Sequence, residues 1–175
     1  MFTLVTAKAT ALSIVFALTP LNAGHPNVEI DHDAPVITRD DIVIHAPLHR
    51  IWKIQTDVEA WPEWQPDVIT VKKETRGPLR KGSRFRWSVE GLENITSTVK
   101  QVVPNRRIAW GGPAQGVTAV HLWTFTPTKD GVRVHTEESW SGEPVSANVA
   151  AMQKALDASL DTWLHNLKKK AEEED

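Results

Sequence analysis

VTAVHLWTFTPTKDGVRVHTEESWSG, residues Val117 to Gly142, decides the fold. Val117, Ala119, His121, Trp123 and Phe125 alternate with Thr118, Val120, Leu122 and Thr124, the period-2 pattern of a strand. Val132 to Trp140 alternates in the same way, and Thr128-Lys129-Asp130-Gly131 between the two runs is hairpin chemistry. A two-residue loop pairs odd positions with even ones. His121, Trp123 and Phe125 therefore share a face with Val132, Val134, Thr136, Glu138 and Trp140. That face is too aromatic to lie in water, yet it carries an imidazole, a hydroxyl and a carboxylate. A mostly apolar surface with a few convergent polar groups describes a ligand cavity.

Outward from this hairpin the chain is nearly all strand. Val68 to Glu74, Phe85 to Val89, Ile95 to Val103 and Ile108 to Trp110 precede it, separated by turn signals at Gly77–Gly82 and at Pro104-Asn105. Phe85, Trp87 and Val89 form one aromatic face. Ile95, Ser97, Val99, Gln101 and Val103 continue it, while residues 111–116 read as a loop. Before them, Val36 to Ala46 is a first strand stopped by Pro47, and Leu48 to Thr56 has helical spacing. Residues 57–66 (DVEAWPEWQP) are a short turn or single-turn helix whose two tryptophans need cover. From Pro144 onward Val149, Met152, Leu156, Leu160, Trp163 and Leu167 recur every three or four residues, one long helix with an apolar stripe, fraying over residues 171–175. A single amphipathic helix after a curved sheet packs across its concave face. The fold class is α+β.

With 175 residues and a formal net charge of -2, the chain is one domain and carries no nucleic-acid signature. Zero cysteines exclude a disulfide framework, a thiol nucleophile and a cysteine zinc site. Residues 1–23 run from Lys8 through an apolar stretch, Ala9 to Leu18, to small residues ending at Ala23, the order of a cleavable secretion signal. The expectation is a periplasmic or secreted protein with no stable membrane span after cleavage, monomeric or homodimeric. Residues 24–35 read as a flexible leader. Metal is not expected; His25, Asp31, His32 and Asp33 there are read as solvated.

The order strand, short helices, long antiparallel meander and long C-terminal helix resembles the helix-grip fold of the START-like (SRPBCC) superfamily. Within it the chain looks like the polyketide cyclase/dehydrase-type branch, with plant pathogenesis-related pollen-allergen proteins as more distant members. The residues that carry the resemblance run through the chain in order. They are Ile44-His45-Ala46-Pro47 with Ile51-Trp52, Trp61-Pro62-Glu63-Trp64, Gly82-Ser83-Arg84-Phe85-Arg86-Trp87, Ile95-Thr96-Ser97-Thr98, Ile108-Ala109-Trp110 and His121-Leu122-Trp123-Thr124-Phe125. Together with Gly131 to Ser139 they span residues 36–170, the domain. The resemblance implies a curved sheet around the C-terminal helix, two short helices after the first strand, and a cavity. It implies no cofactor and does not fix a reaction.

His121 and Glu138 are the candidate catalytic pair, a carboxylate orienting an imidazole in an apolar setting. Candidate ligand contacts join them from the sheet: Phe85, Trp87, Ser97, Trp110, Trp123 and Thr136. From the helix come Met152, Leu156, Leu160 and Trp163, with Trp64 and Trp61 as a lid or a loop clasp. Mutual satisfaction of His121 and Glu138 inside a core is the competing reading. Three functions stay open: a binder of a lipid, polyketide or aromatic molecule between sheet and helix; a cofactor-free cyclase or dehydratase using His121 and Glu138; and an interaction module with a filled core.

Overall fold

The structure, a computed structural model, describes residues 27–173; the expected secretion signal over residues 1–23 lies outside them. Seven antiparallel strands form one sheet in the order β1-β7-β6-β5-β4-β3-β2. They are β1 (Val36–Ile44), β2 (Val68–Lys73), β3 (Arg84–Val89), β4 (Leu92–Val103), β5 (Arg107–Ala114), β6 (Val117–Thr128) and β7 (Gly131–Ser141). Between β1 and β2 lie α1 (Leu48–Thr56) and a 3-10 helix (Val58–Glu63); after β7 come α2 (Glu143–Ala147) and α3 (Val149–Glu172). Only the β1-to-β2 connection, which carries the chain through α1 and the 3-10 helix from one edge of the sheet to the other, departs from a plain meander.

The hairpin register follows the turn. Thr128 pairs with Gly131, so His121 faces Glu138, Trp123 faces Thr136 and Phe125 faces Val134. Gly131 takes φ 130°, a conformation L side chains resist. Two expectations fail nearby. Residues 111–114 are not a loop but the end of β5, paired with β6 through Ala114 and Val117. A β-carbon at Gly111 would collide with the carbonyl of Ala119, so the glycine permits close strand approach here rather than a turn. In β4 the register shifts between Val99, opposite Trp110, and Gln101, opposite Ala109. This bulge at Lys100 reverses the alternation. Gln101 leaves the inner face, and Val102, opposite Ile108, takes its place.

The C-terminal helix is interrupted. Asn148 breaks it into α2 and α3 and caps α3 by accepting a hydrogen bond from the Ala151 N–H at 3.3 Å. The side chain of Gln153 then holds both the N–H and the C=O of Ile37 at 3.3 and 3.1 Å, and Lys168 Nζ donates to the Val43 carbonyl at 2.6 Å. These bonds tether α3 along β1. In the described part of the stretch expected to fray, residues 171–173, Ala171 is buried and the Glu172 carboxylate accepts from the His45 N–H at 2.7 Å.

The described part of the expected flexible leader is a strap instead. Ile30 is 4% exposed and packs with Val28 and Ile37 on Ala109 and Leu122, on the outer face of the sheet. Gln101 Oε1 accepts from the Val28 N–H at 3.2 Å, Arg107 donates to the Val28 carbonyl, and the Asp31 N–H donates to Ser139 Oγ at 3.0 Å. Its polar composition hid two aliphatic side chains spaced by one residue, enough to bury an edge of the segment.

Candidate functional site: an aromatic interior with one buried acid–base pair

The inner face of the sheet, closed by the 3-10 helix and α3, carries two apolar groups. The larger contains Phe85, Trp110, Trp123, Phe125, Trp61 and Trp163, with Trp64 and Trp87 packed against it. The smaller contains Leu156, Leu160, Val36 and Val145, with Met152, Val117 and Trp140. The predicted contacts therefore separate: the tryptophans meet, while Met152, Leu156 and Leu160 pack at the other end of the helix. His121, Thr136 and Glu138 lie between, on the adjoining strands β6 and β7.

Where cavity walls were expected, rings touch rings. Trp163 lies 5.0 Å from Trp61, 6.0 Å from Trp87, 6.2 Å from Trp123 and 6.3 Å from His121, between ring centroids. Most of these contacts are edge-to-face, the arrangement that puts a positive ring edge on a negative face. Trp61, weighed from sequence as a lid or clasp, is wholly buried at the centre of the cluster, its indole N–H donating to the Gln55 carbonyl at 3.1 Å. Trp64 is half-buried beside Trp163 and lines a surface pocket of about 250 Å³ with Pro62, Asn166 and Lys169. A pocket of about 320 Å³ lies elsewhere, on β2 and β3 around Thr70, Arg86 and Ser88. Ser97 is buried and accepts from the Trp87 indole N–H at 3.0 Å, so it anchors a ring and does not reach His121 by any hydrogen bond described.

The polar pair is a short chain of hydrogen bonds with a fixed direction. The Thr136 hydroxyl donates to the Leu122 carbonyl at 3.2 Å, so toward His121 Nε2, 2.8 Å away, the same oxygen accepts. A hydroxyl has one proton, and Nε2 must therefore carry the hydrogen. His121 Nδ1 then faces Glu138 Oε2 at 3.1 Å with one proton between them. The other carboxyl oxygen accepts from the Trp140 indole N–H at 2.8 Å, which holds the carboxyl plane toward the imidazole.

Burial decides where that proton sits. It lowers the His121 pKa to about 3. It raises the Glu138 pKa to about 7, against the opposing hydrogen bond from Trp140. Two neutral groups are cheaper to bury than an imidazolium–carboxylate pair. The proton belongs to Glu138, which donates to a neutral imidazole. A carboxylic acid with a pKa near neutrality, beside a neutral base, can give and take a proton from a ligand oxygen or carbon.

A profile of the family described as polyketide cyclase / dehydrase and lipid transport matches residues 35–172. The chain belongs to this family. A candidate polyketide cyclase of Streptomyces cyaneus is 27% identical over 119 residues, 61% of this chain and 74% of that protein. Among solved structures, a hypothetical protein of Helicobacter pylori superposes with a TM-score of 0.71 at 17% identity, covering 85% of this chain and 99% of that one. The Zhui aromatase/cyclase from a Streptomyces species gives 0.65 at 17% identity, covering 78% and 93%. A START superfamily protein of Mycobacterium smegmatis gives 0.64 at 16% identity, covering 78% and 97%. These superpositions establish the helix-grip fold of the polyketide cyclase/dehydrase family for this chain. Among the described residues no helix is long and apolar enough to cross a membrane.

Sequence reading missed two residues of the site. Gln55 is wholly buried, and its signal was a polar side chain four residues after Ile51 on the apolar stripe of α1. Trp140 was placed on the inner face, but its hold on Glu138, two residues earlier on the same strand, needed the side-chain geometry.

Proposed function

We propose that the protein binds a hydrophobic small molecule, of lipid, polyketide or aromatic type, between the sheet and α3, with His121 and Glu138 as its polar end. The observation that carries this reading is a face of contacting aromatic rings interrupted by one buried acid–base pair, a composition suited to holding an apolar body and orienting it by few polar contacts. Family membership supports it. A bound ligand replaces ring–ring contacts, so tryptophan emission reports it. Titration with a panel of fatty acids, quinones and polyphenols is expected to give a saturable change with at least one class; a flat response to all would sink the reading.

A second reading is favoured by the placement of the proton. With Glu138 protonated near neutrality and His121 neutral, the pair is equipped for cofactor-free enolisation, aldol cyclisation or dehydration. His121→Ala and Glu138→Gln are then expected to reduce turnover by about 10²- to 10⁴-fold while ligand affinity stays within a few-fold. Unchanged turnover in both variants would leave a binding protein. Export is a separate proposal resting on residues 1–23 alone. Intact mass of the protein from its own cell envelope is expected to lack those residues; a retained Met1 would end it.

A further inference from the structure

The pocket of about 320 Å³ on β2 and β3 lies on the face of the sheet turned away from α3. Phe85 and Trp87 face the interior, so the alternation of β3 sends Arg86 and Ser88 outward. There they stand in register with Lys72 and Thr70 of β2. Lys72 and Arg86 are thus a like-charge pair placed directly opposite, an arrangement that lowers stability. The sheet avoids it elsewhere: the other in-register charged pair among the described strands, Arg39 with Glu137, is of opposite sign and closes to 3.2 Å. Glu74 does not settle the conflict. It is shared between Arg86 at 2.9 Å and Arg84 at 3.3 Å, while Lys73 turns to Glu59 at 3.6 Å. Lys72 has no ion-pair partner among the described residues.

Donors surround the two cations. Ser88 Oγ accepts from the Asn94 N–H at 3.1 Å, which leaves its own proton to donate. Thr70 and Asn94 line the same pocket with side chains bonded to no described residue. Three cations and one carboxylate border the space, a net charge of +2. Directly opposed residues have Cβ atoms about 5 Å apart, so the flexible ends of Lys72 and Arg86 can close on one group. We infer that this pocket takes a phosphate monoester. Its dianion cancels the charge, its oxygens accept from the Arg86 fork and the hydroxyls, and the pocket has room for a small carbon portion. A lysine on an edge strand also deters sheet-to-sheet pairing, but that role requires neither a cation opposite it nor donors round it. The ester can arrive as a small soluble molecule or as the headgroup of a phosphatidic lipid. Ile69, 58% exposed and one residue before Thr70, is the apolar side chain that acyl chains would meet. The site lies across the sheet from the interior and stands independently of the reading proposed above.

The test is calorimetric titration of the full chain at low ionic strength with glycerol 3-phosphate, and with glycerol as the uncharged control. The ester is expected to saturate with a Kd of about 1 mM or tighter, and glycerol to give no binding. Lys72→Gln and Arg86→Gln, both at exposed positions, are each expected to weaken the ester about tenfold. Lys81→Gln removes the same charge from an exposed position outside the pocket and is expected to stay within about twofold. Phosphatidylcholine vesicles with and without phosphatidic acid separate the two sources. Binding that needs phosphatidic acid and is weakened by both Lys72→Gln and Ile69→Ser assigns the lipid headgroup. Binding of the soluble ester with no vesicle binding assigns a soluble ester. Silence toward both probes overturns the site, as does vesicle binding that Lys72→Gln leaves intact. Equal weakening by Lys81→Gln and Lys72→Gln also overturns it, since a diffuse basic field would then account for the binding.

Discussion

Trp61→Ala is expected to lower the unfolding free energy by about 3–5 kcal/mol, the range for emptying a fully buried large aromatic site. Trp61 is unexposed and its ring meets Phe85, Trp87, Trp110 and Trp163 at 5.0 to 5.7 Å. The variant also strips the Gln55 carbonyl of its indole partner, leaving a second unsatisfied group on a residue that already has one. Stability of a domain this size is about 5–15 kcal/mol, so the loss is a large share of the whole. Urea denaturation of Trp61→Ala beside Trp64→Ala makes the comparison. The half-buried Trp64 should cost clearly less. Equal, small losses in both would mean that the ring cluster does not hold the 3-10 helix to the sheet.

Glu138→Gln is expected to match the unaltered protein in stability near pH 4 and to exceed it by on the order of 3 kcal/mol at pH 8. The folded-state pKa of Glu138 is raised from 4.5 to about 7. Between those values the folded protein keeps a proton that the unfolded chain releases, so stability falls as pH rises across that window. His121 is shifted the other way, from 6.5 to about 3. There the unfolded chain binds the extra proton, and stability rises with pH up to about 6.5. The two slopes oppose each other from pH 4.5 to 6.5. The unaltered protein should show a flat maximum across that interval, declining on either side. Glu138→Gln keeps only the His121 slope: its stability climbs to about pH 6.5 and then levels. A glutamine can still donate to Nδ1 as the protonated carboxyl does, which is why the neutral pair tolerates it. Urea midpoints at pH 4, 6 and 8 read all of this. A variant less stable than the parent at neutral pH would show an imidazolium–carboxylate pair in place of the neutral one.

The sheet was legible because a two-residue turn leaves no choice of parity: once Lys129-Asp130 closes the hairpin, His121 must face Glu138. The same parity argument failed in β4, where an extra residue at Lys100 carries no mark in the sequence and sends Gln101 outward. Residues 111–113, Gly-Gly-Pro, misled for a different reason. Glycine and proline punctuate turns, but here glycine answers a close backbone approach between β5 and β6. The acid–base pair was visible because it is made by neighbouring strands. The surroundings of Trp163 were not, since Gln55, Trp64 and Trp163 are brought together by helix packing over separations of nine to more than a hundred residues, a distance no periodicity spans. Packing also explains the filled interior: side chains expected to surround a space instead meet across it.

The strap over the outer face bears on what counts as the unit of inheritance in this chain. Similarity to the family begins at residue 35, immediately before the first strand. Ile30, which seals Ala109 and Leu122 from solvent, lies upstream of that point. A boundary drawn by kinship therefore cuts through a hydrophobic contact, leaving an oily patch on the two central strands and the Arg107 guanidinium without the Val28 carbonyl. The shared ancestry and the cooperative folding unit of this molecule have different edges, and it is the second that must be respected when the protein is shortened or fused.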